Sequence, residues 1–352
     1  MTKKLIINNR IISEKNLPLV VAEISANHQN SINKTFKLLK KAAASGVEAV
    51  KFQTYDLNEM TLNINKNEFL IKKKFKNKDW NSRSLYSIYK EANFPFKWHK
   101  AVFKKAKSLG MICFSSVFDI KSLHFLETLN CPAYKIASLE SLHFPLIERV
   151  VKTNKPILIS TGTLNINEID YLMKFLKKIK SKKHLILHCV SSYPTKNTDV
   201  NLKFIRTLRK KYNCLIGFSD HTDSIGAAIA SVPFGASLIE KHLKYSKSEK
   251  SLDYQFSLDP NEMKKMIYEI NNAWFSLGRE KKRISQSELF VKKYRRSIYA
   301  CADIKVGEKF NNDNLKIIRP GNGLKPSYID KLIGKKSKKN IKLGEPIKLK
   351  FI

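Results

Sequence analysis

The sequence predicts an α/β fold, a (β/α)8 TIM barrel followed by a small C-terminal β-rich domain. Three observations carry this. Eight apolar runs rich in β-branched residues follow one another between residues 19 and 242, and each ends in a polar residue capable of chemistry. Amphipathic, Lys-rich stretches of helical length lie between most of them, so the pattern reads as strand then helix, eight times over. Beyond residue 278 the periodicity shortens to β runs broken by Gly turns. In such a barrel the C-terminal ends of all strands meet on one face, so residues far apart in sequence converge on one site.

The eight runs are VVAEISAN with Glu23, EAVKFQT with Lys51, MICFSS with Ser116, AYKIAS with Lys135 and Ser138, LISTG with Ser160, LILHCVSSYP with Tyr193, IGFSDH with His221, and SLIEKH with His242. The first strand is predicted over residues 19–25, and a short β segment at 5–12 precedes it, placed to plug the barrel bottom. The second strand leads into a long connection, TYDLNEMTLNINKNEFLIKKKFKNKDWNSRS, before helical SLYSIYKEAN. Loops of that length in compact domains usually carry function. This one follows a strand end, so it lies on the catalytic face and can fold over a substrate. The last barrel helix is predicted over NEMKKMIYEINNAWFSLG, with Asp259 as N-cap, Pro260 at the first helical position and Gly278 as its stop. The barrel thus spans 1–278, a charged linker 279–292, and the small domain 293–352, with β runs in RSIYACADIKVGEKF, LKIIRPGNGLKPSYI and KNIKLGEPIKLKFI. A domain of about 60 residues is marginal alone, so it is expected to dock on something.

With 352 residues, 43% of them hydrophobic, the chain can bury a sizeable core, which excludes intrinsic disorder. The net charge of +36 by itself suggests nucleic acid or an acidic surface as partner. The lysines, however, are spread through helical segments such as KAVFKKAKSLG and MKFLKKIKSKK, beside abundant Asn and Ile. They read as solvated helix faces under a codon bias, and no nucleic-acid partner is expected. Cys113, Cys131, Cys189, Cys214 and Cys301 form no C-x-x-C pair and no metal-ligand spacing, which fits a reducing compartment. No continuous signal region opens the chain and no apolar run is long enough to span a bilayer, so a cytoplasmic protein with no membrane partner is expected.

His221 and His242 end neighbouring strands, within reach of one divalent cation; two imidazoles with open positions and oxygen donors nearby suit Mn, Mg, Co or Zn. One such His alone is more often a satisfied polar residue; the pair favours the metal. Lys51 and Lys135 end strands on another arc, with Ser116, Ser138 and Ser160, and two cations with convergent hydroxyls make a site for a small dianion such as a phosphate or carboxylate. Most lysines here are solvated charges, but these two stand inside apolar runs, where an unpaired ammonium is costly. Glu23 is either held ionised beside Lys51 or raised toward neutrality by burial, and is placed for acid/base work; a plain structural ion pair with Lys51 is the alternative. Glu240 points to the same side of its strand as His242 and suits an orienting or substrate-contacting role. Asp253 lies in a polar loop, where acids are usually just solvated.

AEISANH, VKFQTY, AYKIAS, ISTG, HCVSSYPT, GFSDHT, IEKH and RPGNG, in this order, resemble the sialic acid synthase family, which condenses phosphoenolpyruvate with an amino-sugar aldehyde to make nonulosonic acids. The resemblance covers nearly the whole chain, and the C-terminal segment is similar to the family's antifreeze-like (SAF) domain. SANH, TYDLNEMTLNINKNEF, LYSIYKEANFPFKWH, CFSSVFD and RPGNGLKPSYIDKLIGKK most resemble the pseudaminic acid synthases of that family, which implies a 2,4-diacetamido-2,4,6-trideoxy-altrose as the sugar; N-acetylneuraminate or legionaminate synthesis is the alternative. The resemblance implies a divalent metal (Mn, Mg or Co) on His221 and His242, Glu23 as catalytic glutamate, and Lys51 and Lys135 as catalytic lysines. It implies phosphoenolpyruvate on Lys51, Ser116, Lys135, Ser138, Ser160 and Ser219, and the N-acetylated sugar on Gln53, Tyr193, Glu240, Asp253 and Arg319. It also implies a domain-swapped homodimer in which Arg319 reaches the other chain's site. An Asn that some relatives use against phosphate is not matched in WNSRS, where Ser82 or Arg83 is left as its stand-in.

Overall fold

Eight strands buried on both faces read in sequence as near-continuous apolar runs, and that is what parallel pairing under a layer of helices requires. The computed structural model describes residues 3–72 and 80–352. Two compact units divide the chain, residues 1–278 and 279–352. In the first, β1 (Leu5–Ile7) and β2 (Arg10–Ile12) form an antiparallel hairpin. Then come β3 (Leu19–Glu23), β4 (Ala49–Thr54), β5 (Ile112–Val117), β6 (Tyr134–Ile136), β7 (Ile157–Ser160), β8 (His184–Cys189), β9 (Leu215–Asp220) and β10 (Leu238–His242). These eight pair in parallel in sequence order, and β10 closes on β3 with His242 beside Glu23. The observed architecture is the (β/α)8 barrel that the sequence predicts.

The helices of this unit are α1 (Ile32–Ala44), α2 (Leu57–Met60), α3 (Leu85–Ala92), α4 (Phe96–Ser108), α5 (Ile120–Thr128), α6 (Phe144–Lys152), α7 (Ile166–Lys178), α8 (Lys203–Lys211), α9 (Gly226–Ser231) and α10 (Pro260–Ser276). Their starts are chemically marked. Ser31 accepts from the Lys34 N–H to begin α1, and Asn165 with Glu168 forms a capping box on α7. Asp259 with Glu262 does the same for α10, with Pro260 at its first position. Leu38, Leu39 and Ala42 of α1, or Ile205 and Leu208 of α8, turn to the core, while lysines of the same helices face outward. The hairpin contributes Leu5, Ile7 and Ile12 to that core, and Arg10 pairs with Glu48 just before β4, which puts it at the N-terminal end of the barrel.

Several boundaries differ from expectation. β3 stops at Glu23 because Ser25 has φ 39°, a left-handed conformation that no strand continues through. β6 stops at Ile136, so Ser138 opens a 3-10 turn, and β8 stops at Cys189, which leaves Tyr193 four residues out in a loop. In the second unit α11 (Gln286–Lys292), capped by Ser285, occupies the second half of the stretch read as linker. β11 (Ser297–Ala300) and β12 (Leu315–Ile318) pair antiparallel, and α12 (Ile329–Leu332) follows. The third expected β run makes only single bridges, Ile304 to Ile341 and Tyr299 to Pro346, since Pro346 has no N–H with which to extend a ladder. Ile298, Phe310, Leu315, Ile341 and Ile347 form this unit's own core.

Candidate active site

Alternation along the strands decides which side chains reach the barrel mouth. Lys51 and Gln53 on β4, Ser219 on β9 with His221 just after it, and Glu240 and His242 on β10 are pairs two residues apart, so each pair faces inward. Every barrel residue proposed from sequence, from Glu23 to Asp253, lines one cavity of about 470 Å³. Arg319 stands apart: it is an exposed residue of the second unit, just after β12. Neither Ser82 nor Arg83 lines this cavity; Arg83 pairs with Glu91 and borders a second one with Gln29, Asn30 and Lys250.

The lysines are not bare cations. Lys51 Nζ contacts the Glu23 carboxylate, lies 3.6 Å from Glu240 Oε2 and donates to Ser116 Oγ at 2.8 Å; Lys135 Nζ lies 3.8 Å from Glu240 Oε1. Ser219 donates to Glu240 at 2.9 Å. All four charged groups are at most 3% exposed, so their mutual placement sets their protonation. Burial raises Glu23 to about 7 against the opposing pull of Lys51. Burial alone would lower Lys51, but Glu23 and Glu240 overcome it and keep the ammonium charged. Lys135 is lowered by burial, only partly offset by Glu240. Two lysines balanced by two carboxylates suit an incoming anion whose charge can replace that of a carboxylate taking up a proton.

Across the mouth, the imidazole rings of His221 and His242 lie 5.3 Å apart. His221 Nδ1 is 3.2 Å from the Val190 carbonyl, so that nitrogen carries a proton and Nε2 is the ring nitrogen left to bind a cation. Cys189 Sγ lies 3.7 Å from the same nitrogen. Burial, then the neighbouring His221, lowers His242 well below its ordinary value, so its ring is neutral. His242 Nδ1 is buried and makes no hydrogen bond among the described residues; Asp253 Oδ2 lies 3.8 Å away. Two convergent imidazoles, one of them neutral and with a buried nitrogen unpartnered among the described residues, fit a divalent cation as donors. Among the described residues no group of three His, Cys, Asp or Glu side chains is arranged to hold a metal, so further donors would be water or substrate oxygens.

Sequence reasoning missed several cavity residues. One is Ser191, whose Oγ is buried in the cavity wall; Ser160, expected from the sequence, has a buried Oγ with no hydrogen-bond partner among the described residues, which suits it to bind an anion. Ser191 was detectable as the inward neighbour, two residues on, of Cys189. A Cβ on Gly162 would meet Ser191 Oγ at 2.3 Å and Ser138 Oγ at 2.8 Å, so glycine keeps those hydroxyls in place. Glu140, two residues past Ser138, had no sequence signal because it lies on a 3-10 turn outside any strand. The long connection after β4 supplies Met60, Ile71 and Trp80, and Trp80 approaches Tyr193 with ring centroids 6.0 Å apart, so described residues of this connection line the mouth.

Fold and site together define a barrel enzyme with a paired-lysine, two-histidine centre at its strand C-termini. The chain belongs to the NeuB family, whose model matches residues 38–282, and carries a SAF domain over 295–352. It is 38% identical over 329 residues to the pseudaminic acid synthase of Campylobacter jejuni, covering 94% of this chain and 95% of that one. The pseudaminic acid synthase of Helicobacter pylori is 36% identical over 331 residues, covering 94% and 96%. The crystal structure of an N-acetylneuraminic acid (sialic acid) synthetase from Leptospira borgpetersenii in complex with citrate superposes with TM-score 0.73 at 28% identity, over 83% of this chain and 95% of that one.

Proposed function

We propose that the protein is a pseudaminic acid synthase, which condenses phosphoenolpyruvate and water with 2,4-diacetamido-2,4,6-trideoxy-altrose to a nonulosonic acid and inorganic phosphate. The observation that carries this reading is the charge-balanced Lys51–Glu23–Glu240–Lys135 group facing the two convergent histidines within one cavity. Lys51, Lys135 and Ser116, with the hydroxyls of Ser138, Ser160 and Ser219, hold the phosphate and carboxylate. Gln53, Tyr193, Glu240 and Asp253 hold the sugar. C3 of phosphoenolpyruvate bonds to the aldehyde carbon, water adds at C2, and phosphate leaves by C–O cleavage; bringing the two substrates together supplies much of the acceleration. Glu23 takes the proton of the attacking water. His221 and His242 hold a divalent cation, Mn, Mg or Co, which when bound supplies Lewis acidity at the aldehyde oxygen.

We further propose a domain-swapped homodimer in which Arg319 of the partner subunit completes the sugar site, and a cytoplasmic location. Five unpaired cysteines, four of them buried, support a reducing compartment, and no described helix is long and apolar enough to cross a membrane. Incubation of the protein with phosphoenolpyruvate, Mn and each candidate amino sugar tests the reaction. Phosphate release with the diacetamido-trideoxy-altrose is expected. Turnover only with N-acetylmannosamine, or only with the precursor of legionaminate, would replace the pseudaminate assignment. A His221→Ala variant that keeps both its metal content and its phosphate release would remove the metal assignment.

A further inference from the structure

Of the ten non-glycine residues with positive φ among those described, nine are exposed. Ser25 is the buried one. With φ at 39° its Cβ crowds the backbone carbonyl, in a conformation that glycine reaches without that clash. A serine kept there, on the wall of the active-site cavity, indicates that its side chain is used. Its partners show for what. Ser25 opens the 3-10 turn Ser25–His28 directly after β3, and its N–H turns back to donate to Glu23 Oε1 at 3.0 Å, while Oε2 of the same carboxylate faces Lys51. The hydroxyl reaches to both sides of β3. Gln53 Nε2 of β4 donates to Ser25 Oγ at 3.0 Å, which leaves the hydroxyl proton for the Asp253 carboxylate, in the loop after β10. The Ala26 N–H adds a longer bond to Asp253 Oδ2, at 3.3 Å.

We propose that Ser25 is a positioning residue for the reaction: its strained backbone fixes one oxygen of Glu23, and its hydroxyl clamps Gln53 and Asp253 in the orientation that receives the sugar. The inference rests on the condensation proposed above, in which Glu23 handles the proton while Gln53 and Asp253 hold the sugar. The order of the strands makes the clamp possible. β10, β3 and β4 are neighbours in the barrel, so a hydroxyl raised at the end of β3 stands between groups carried by the other two. The direction of its bonds then decides what each partner shows to a ligand. Because Gln53 donates to Ser25, its amide is fixed with one face committed; without the hydroxyl the amide can turn over and exchange N–H for carbonyl. Because Asp253 takes the hydroxyl proton, its carboxylate is held toward β3; without that bond it can swing toward His242, whose Nδ1 is 3.8 Å from Oδ2. Both partners of the hydroxyl belong to the sugar side of the cavity, so its loss is expected in the sugar terms of the kinetics.

The test compares wild type, Ser25→Gly, Ser25→Ala, Gln53→Ala and the double variant Ser25→Ala with Gln53→Ala, each as the full chain. Steady-state phosphate release is measured with Mn, phosphoenolpyruvate and the diacetamido-trideoxy sugar, and stability by urea unfolding. Both single Ser25 variants lose the hydroxyl, so each should raise the sugar KM about tenfold, with the phosphoenolpyruvate KM within about twofold of wild type. They should part in stability. Glycine relieves the left-handed backbone and alanine does not, so Ser25→Gly should unfold at a higher urea concentration than Ser25→Ala while showing the same kinetic loss. Since the serine acts partly through Gln53, the double variant should raise the sugar KM by less than the product of the two single effects. A wild-type sugar KM in Ser25→Gly would overturn the proposal, because the turn would then need only its backbone. Single effects that multiply in full, or a phosphoenolpyruvate KM that rises as much as the sugar KM, would also overturn it while leaving the condensation intact. A wild type that releases no phosphate with any amino sugar would overturn the condensation and this role together.

Discussion

Glu23 touches Lys51 in a site almost closed to water, and burial still prevails, raising its carboxyl to about 7. Below that value it is protonated and has no capacity to take a proton from water. The expected kcat/KM therefore falls as pH drops through about 7, and the limb disappears in Glu23→Gln. Glu140 titrates in the same range, so a limb that survives in Glu23→Gln and vanishes in Glu140→Gln would reassign it. Gly162 gives a second test at this scale. Its backbone has no positive φ and accepts alanine, but the added Cβ would displace the Ser191 and Ser138 hydroxyls. Gly162→Ala is expected to raise the phosphoenolpyruvate KM about tenfold or more with little change in unfolding temperature, since the hydroxyls can rotate away.

At the scale of the strands, the residues between the inward pairs matter as much as the pairs themselves. Asp220 and Lys241 face away from the cavity, are wholly buried, and meet at 3.0 Å; Lys241 also donates to the Thr222 carbonyl at 2.6 Å. They tie β9 to β10 where His221 and His242 must converge. Lys241→Met leaves the Asp220 carboxylate buried and unpaired, so a loss of about 3–5 kcal/mol in urea unfolding is expected, part of it recovered when Asp220 is also replaced. A similar outward layer links β4, β5 and α4: His99 Nε2 lies 2.7 Å from Thr54 Oγ1, which in turn lies 2.6 Å from Ser115 Oγ. Burial lowers His99 and His28 to about 4. The unfolded chain takes up these protons near 6.5, before the folded protein does, so stability is lost as pH falls from 6.5 toward 4, by about 2 kcal/mol per ring at pH 5. Glu23 and Glu140, raised by burial, act in the opposite sense. The histidine contribution is therefore read by difference: His99→Gln should lose about 2 kcal/mol less than wild type between pH 7.5 and 5 in denaturant titrations.

For the whole molecule, the proposed domain swap has a direct test. A dimer of His221→Ala and Arg319→Ala chains contains one barrel with an intact histidine pair, served by an intact Arg319 only if the arginine comes from the partner. Co-expression should restore phosphate release that neither variant shows alone, whereas an arginine acting within its own chain would restore none. The barrel itself was legible because parallel strands under helices must be apolar on both faces, and only the polar residues at their ends interrupt the runs. Lys51 and Lys135 stood out for the same reason, as charges inside runs that exclude charge. Glu140 and Gly162 did not, since each lies beyond a strand end, where periodicity carries no information. Sequence by itself determined the strand order, the face on which function gathers and most of the residues on it. Only tertiary structure decided that each lysine faces a carboxylate and that one Glu140 oxygen finds no partner among the described residues. Those are distances between strands closed into a ring, and no spacing along the chain contains them.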